Sequence, residues 1–213
     1  MRHNHSSHRR VPPTFDELLG RVRDLPKGYE GHILEGAMFV TDPPSVARAH
    51  TVAEISAMVV AGSPLGDPVP EEWAFLSDVE IAVGAEGIVT ADVAGWRCGS
   101  RELASAVTPV RLVPAWVCEV LGGGSRAFTL TAKRRAYAEL GVCTLWIADP
   151  EAQVLEVFQN HRGKWLLTAA LSEEPRASAP PFEELHFDAS ELWIPAPSQQ
   201  IGSSLPSHAS KGH

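Results

Sequence analysis

The chain has 213 residues, 44% of them hydrophobic and 21% charged, with a formal net charge of −8 at pH 7. That length sustains one well-cored domain. No apolar run reaches the roughly 18–20 residues of a membrane span, and the negative balance excludes broad, non-specific attraction to a phosphate backbone. An acidic site that binds a divalent cation stays open, because the cation reverses the local field.

In chain order, "MRHNHSSHRRVPP" (residues 1–13) is basic with no apolar segment behind it, which argues against a secretory signal. It reads as a tail, and His3, His5 and His8 receive no role. "TFDELLGRVRDL" opens with Thr14 and carries Glu17 three residues on, so a capped helix starts here. "GHILEGAMFV" reads as a strand or tight hairpin bent at Gly36. In "SVARAHTVAEISAMVVAG", Ser45 is the N-cap, Val46, Ala49, Ala53 and Val60 fall near helical spacing, and Gly62 follows the end. Three strand-like runs come next: "WAFLSDVEIAVG", "GIVTADVAGW" and "VRLVPAWVCEVL". A helix over about residues 126–140 ends at Gly141.

"VCTLWIADP", "AQVLEVFQN" and "KWLLTAAL" then form a compact β-cluster, and "FEELHFDASELW" a last strand and helical turn. Residues 195–213 are Pro/Ser-rich with almost nothing to bury. The expectation is one domain over 14–194 of the α/β (α+β) class, a mostly antiparallel mixed sheet with helices before it and one inserted. Cys98, Cys118 and Cys143 are odd in number and widely spaced, which fits a reducing cytoplasm better than a disulfide framework.

Two carboxylates intrude on apolar runs: Asp92 in "IVTADVAGW" and Glu119 in "PAWVCEVLGGG". Burying either alone is costly. Alternation groups Asp92 with Thr90 and Ala94, and Glu119 with Val117 and Leu121. Two acids brought to one face repel unless one is protonated or a cation lies between them. Magnesium suits that place, since it takes oxygen ligands and commonly uses one or two carboxylates. In "TAKRRAYAELGV" the stripe Lys133, Ala136, Tyr137, Leu140 follows helical spacing, so Lys133 lies on the inward face. Two carboxylates, a cation and an inward lysine are the parts needed to activate water against a phosphodiester. A structural ion pair with a snorkelling lysine leaves the same pattern.

From about Phe15 to Trp193 the chain resembles the bacterial putative restriction endonuclease family of the Uma type, of the PD-(D/E)XK nuclease superfamily. "TADVAGW" resembles the family's first acidic strand, with Asp92 as the acid and Ala91 in place of proline. "PAWVCEVL" resembles the second, with Glu119 as the acid. Leu121 stands where the superfamily usually has its lysine, and the resemblance implies that Lys133 of the following helix takes that part. "CTLWIADPEAQVLEVF" is similar to the family's Asp-Pro strand and hairpin.

The resemblance implies a restriction-endonuclease-like fold, Asp92 and Glu119 as ligands of Mg2+ (or Mn2+), catalysis by Asp92, Glu119 and Lys133, DNA as substrate, and a homodimer. It also marks departures. His32 stands where a glutamate is usual, with Glu30 on its face and Glu35 on the other. "GGGS" (Gly122 to Ser125) replaces the usual loop, and Thr129 stands where an acid commonly precedes the lysine. His32 could ligate a softer metal or act as a base. His50 matches a histidine often carried early in the second helix.

Two readings compete. The first is a metal-dependent DNA endonuclease; the second is a catalytically inactive nuclease scaffold kept as a binding module, which the altered positions favour. Hydrolysis of another phosphate ester is a third, although "LGGGSR" lacks the lysine ending of a nucleotide-binding loop.

Overall fold

The computed structural model describes residues 12–62, 73–97 and 103–194. The tail expected over 195–213, all but the last two residues of that over 1–13, and Cys98 lie outside them.

Helix α1 (Phe15–Arg23) is capped as the sequence predicts: the Thr14 hydroxyl accepts from the Glu17 N–H and the Glu17 carboxylate from the Thr14 N–H. Its Leu18 and Val22 pack on Ile33 of β1 (Glu30–Leu34). A two-residue turn at Glu35 (φ 52°) and Gly36 (φ 73°) leads into β2 (Ala37–Thr41). Paired left-handed residues match the twist of a tight hairpin.

Helix α2 (Val46–Ala61) forms where expected, capped by Ser45, but it presents a different face. Val46 and Val60 are 79% and 57% exposed, and Ala49 and Ala53 are exposed too, while Arg48, Thr51, Ile55, Met58 and Val59 are buried. The helix is apolar almost all round, so spacing could not choose its inner side. On the inner face Ile55, Met58 and Val59 join the core and Arg48 meets a buried carboxylate.

The sheet contains β3 (Trp73–Val83), β4 (Gly87–Arg97), β5 (Trp116–Val120), β6 (Thr144–Asp149), β7 (Val154–His161) and β8 (Lys164–Leu171). Its order is β2-β1-β4-β5-β6-β7-β8, with β3 also paired to β4. The β5–β6 pair is parallel, and the inserted helix supplies the crossover such a pair needs. That helix, α3, begins as an α-turn at Arg126–Phe128, widens to a π-helix over Thr129–Lys133 and returns to α over Arg134–Leu140, where Gly141 (φ 92°) ends it. β5 is shorter than "VRLVPAWVCEVL" promises. Pro114 has no N–H for a ladder, and Val110 makes only an isolated bridge to Ile81.

Two cores sandwich the sheet. On one side α2, β9 (Ala177–Ala179) and β10 (Phe182–Phe187) cover Val93, Trp116, Cys118 and Trp146. On the other, Ala136 and Tyr137 of α3 cover Ala91, Val117, Leu121 and Ile147. Cys118 is a buried thiol, whereas Cys143 reaches the surface. The result is a single mixed α+β domain.

Candidate active site

β4 pairs along its whole length with β3, which occupies one of its edges. Its other edge is shared: β1 pairs only at Ile33↔Ile88, and β5 only from Val93↔Cys118 to Gly95↔Trp116. Between those contacts residues 89–92 of β4 face a fork with no strand in it. Backbone groups stranded there must find other partners, and side chains supply them. The Thr90 N–H donates to His32 Nδ1 at 3.1 Å. The Thr90 carbonyl accepts from the Lys133 ammonium at 2.6 Å. Across the fork, Asp92 Oδ2 accepts from the Val120 N–H of β5 at 2.7 Å.

The expected alternation slips at this point. Ala91 and Ala94 both lie in the α3-side core while Val93 lies in the other. Opposite Asp92, between the pairs Ser77↔Val93 and Val79↔Ala91, stands Asp78 with φ 51°. A left-handed residue inside a strand turns the chain, so both strands change faces here. That leaves Asp92 spanning the fork instead of sharing the Ala94 face.

Glu119 points to the α3 side. Its Oε2 accepts from Lys133 at 2.5 Å and its Oε1 from the Tyr137 hydroxyl at 2.6 Å. Glu119 and Lys133 are 2% and 3% exposed. Burial pushes the Glu119 carboxyl up to about 7 against the pull of Lys133, and the Asp92 charge adds to the rise. Burial also pushes the Tyr137 phenol well above its ordinary value, so it stays a donor. The widened π-turn ends at Lys133; such turns often occur at functional positions.

Asp92 takes its cation from the other side. Arg48 Nη2 is ion-paired with Asp92 Oδ1, Arg48 Nε donates to the Val120 carbonyl at 3.1 Å, and Nη1 lies 3.7 Å from Glu30 Oε1. Burial raises the Glu30 carboxyl, opposed by Arg48. Asp92, Arg48, Glu30 and Asp78 line an open cleft of about 400 Å3, and a neighbouring cavity of about 470 Å3 shares Glu30 and Asp78.

The structure therefore brings Asp92, Glu119 and Lys133 to one fork and adds Arg48, Glu30 and Tyr137. Tyr137 was visible beside Lys133 on the inward stripe. Arg48 was not, because a charged residue in an apolar helix reads as solvent-facing. His32 is fully buried next to the fork, but both ring nitrogens are engaged: Nδ1 accepts from Thr90, and Nε2 lies 3.4 Å from the Thr41 hydroxyl. Burial lowers its pKa to about 3, helped by Lys133 and Arg48. This neutral ring replaces a missing strand and is a poor proton acceptor. Glu35 sits exposed on the hairpin, paired with Arg135. His50 lies 3.9 Å from Glu54 on α2. Thr129 is buried at the start of the π-turn.

Among the described residues no trio of His, Cys, Asp and Glu is arranged to hold a metal ion. A divalent cation bound at this fork would have the carboxylates of Asp92 and Glu119 as its protein donors. Two hard carboxylates fit Mg2+ or Mn2+, which complete their shells with water and phosphate oxygens. One condition attaches: each of the four carboxylate oxygens already accepts a hydrogen bond or ion pair.

The family model described as "Uma2: Putative restriction endonuclease" matches residues 18–190. Among solved structures, the chain is similar to a crystal structure described as a putative nuclease belonging to DUF820 from Anabaena variabilis. The TM-score is 0.63 at 16% identity, covering 85% of this chain and 97% of that one. At that identity the likeness is one of fold. No curated protein matches. No helix among the described residues is long and apolar enough to cross a membrane.

Proposed function

Because this chain belongs to the Uma2 family of putative restriction endonucleases, we propose that it hydrolyses phosphodiester bonds of DNA at the β4–β5 fork. The observation that supports this most is the Lys133 ammonium, buried and fixed between the Glu119 carboxylate and the Thr90 carbonyl. At 3% exposure that lysine is almost wholly shielded from solvent.

Asp92 and Glu119 would hold Mg2+ or Mn2+, which when bound supplies Lewis-acid stabilisation to a phosphoryl oxygen and lowers the pKa of water. The chain's own residues supply the rest. Lys133 orients the attacking water and stabilises negative charge that develops on the phosphate, a role that is strong because bulk water is excluded. Tyr137 fixes Glu119 by donating to Oε1, which leaves Oε2 for the ammonium. Substrate approaches from the cleft lined by Asp92 and Glu30, and Lys133, which does not line that cleft, acts from the closed side of the fork. A homodimer, one subunit per strand, is the natural form for double-strand cleavage.

The test is incubation of supercoiled DNA with the protein and Mg2+ or Mn2+, beside Asp92→Asn and Lys133→Met. Each substitution should slow cleavage at least about 100-fold. Cleavage at the wild-type rate by either variant would overturn the assignment.

A further inference from the structure

Resting on that reading, we infer that Arg48 is a built-in competitor of the divalent cation: its guanidinium holds the Asp92–Glu30 side of the acid cluster, and the metal loads only when Arg48 swings away. Three observations carry this. The guanidinium makes an ion pair with Asp92, the one proposed ligand that lines the open cleft, and lies near Glu30 on the same side. Its Nε is anchored to the Val120 carbonyl, so it approaches across the fork instead of lying on the surface. Gly122 of the "GGGS" loop makes room for it, since a Cβ there would come within 3.3 Å of Arg48 Cδ.

Charge gives the reason for exchange. Arg48 and a divalent ion would compete for the same Asp92 and Glu30 oxygens on the cleft side. Holding both cations against those acids would set like charges close together where little water screens them, so one displaces the other. The released guanidinium would sit at the cleft, where its planar fork suits a phosphate.

The experiment is Mn2+ titration, followed by calorimetry and by the electron paramagnetic resonance of free Mn2+, on the wild type, Arg48→Met and Arg48→Lys. Arg48→Met should bind Mn2+ at least about tenfold more tightly, and the gain should vanish when Asp92→Asn is added. Equal or weaker binding by a folded Arg48→Met protein, or no binding by either protein well above the roughly 1 mM of the weakest ordinary divalent sites, would overturn the inference. A measurement on the unaltered chain guards against misfolding of the variant. The Arg48 Nε–H resonance should shift on Mg2+ saturation, and an unmoved resonance while Mg2+ binds would also defeat it. If Arg48→Met gains affinity but DNA is cut by no form, the exchange stands and the nuclease reading fails. If the wild type cuts DNA, Asp92→Asn does not, and Arg48→Met binds Mn2+ no better, the reverse holds.

Discussion

The acid cluster has two halves that solve the same problem differently. Glu119 is sealed under α3, held by Lys133 and Tyr137, and none of the three lines the cleft described above. Asp92 opens on the cleft beside Glu30 and is held by an arginine from α2 and a backbone N–H from β5. A sealed carboxylate is stabilised only by what touches it, so losing a partner is costly. A carboxylate at a cleft can replace a lost partner with water, or with another cation. The sealed half is therefore suited to permanence and the open half to exchange.

The largest effect expected from this contrast is on stability. Lys133→Met should cost about 3–5 kcal/mol, since it strands a buried carboxylate. Arg48→Met should cost less, roughly 1–3 kcal/mol, because Asp92 keeps the Val120 N–H and gains water. Chemical denaturation of the two variants checks the order, and adding Glu119→Gln to Lys133→Met should recover part of the loss. Equal costs would mean that the two halves are equally closed.

The next effect is on the pH dependence of stability. His32 titrates near 3 in the fold against 6.5 in the open chain, so the unfolded state binds an extra proton between those values and stability falls as pH falls through that window. Glu119 acts oppositely. Its pKa is raised from 4.5 to about 7, so the folded state holds the extra proton and stability falls as pH rises from 4.5 to 7. Between 4.5 and 6.5 the two slopes, each at most roughly 1.4 kcal/mol per pH unit, offset one another. His32→Asn should unmask a decline with rising pH, and Glu119→Gln a decline with falling pH. Unfolding midpoints measured from pH 4 to 8 decide it; the same slope in both variants would refute the assignment.

The smallest effect sits at the face switch. Asp78 holds a left-handed backbone that a side chain disfavours by about 1 kcal/mol. Asp78→Gly should therefore raise stability by roughly 0.5–1 kcal/mol, read as a modest rise in melting temperature. A fall would show that the Asp78 carboxylate, not its backbone, matters to the cleft.

How much was legible can be judged from particular residues. Lys133 was readable because it interrupts an apolar stripe at helical spacing, and Glu119 because it interrupts an apolar strand. Their partners on α3 follow from the same stripe. Arg48 was hidden: α2 offers apolar residues in every direction, and Val46, Ala49, Ala53 and Val60, which spacing favoured, face solvent. His32 stands out in the sequence as a substitution, but its work of satisfying Thr90 across a strandless gap depends on β1 and β5 sharing one edge of β4. No local pattern encodes that sharing.

The sequence by itself determined the caps, the hairpin turns, the inserted helix and the intrusion of Asp92, Glu119 and Lys133 on apolar runs, because each depends on neighbours a few positions away. Tertiary structure alone decided the inward face of α2, the reversal of faces at Asp78 and Asp92, and the pairing of a buried arginine with Asp92. Those outcomes turn on how strands far apart in the chain divide one edge between them, and on which cation can reach a carboxylate left without water.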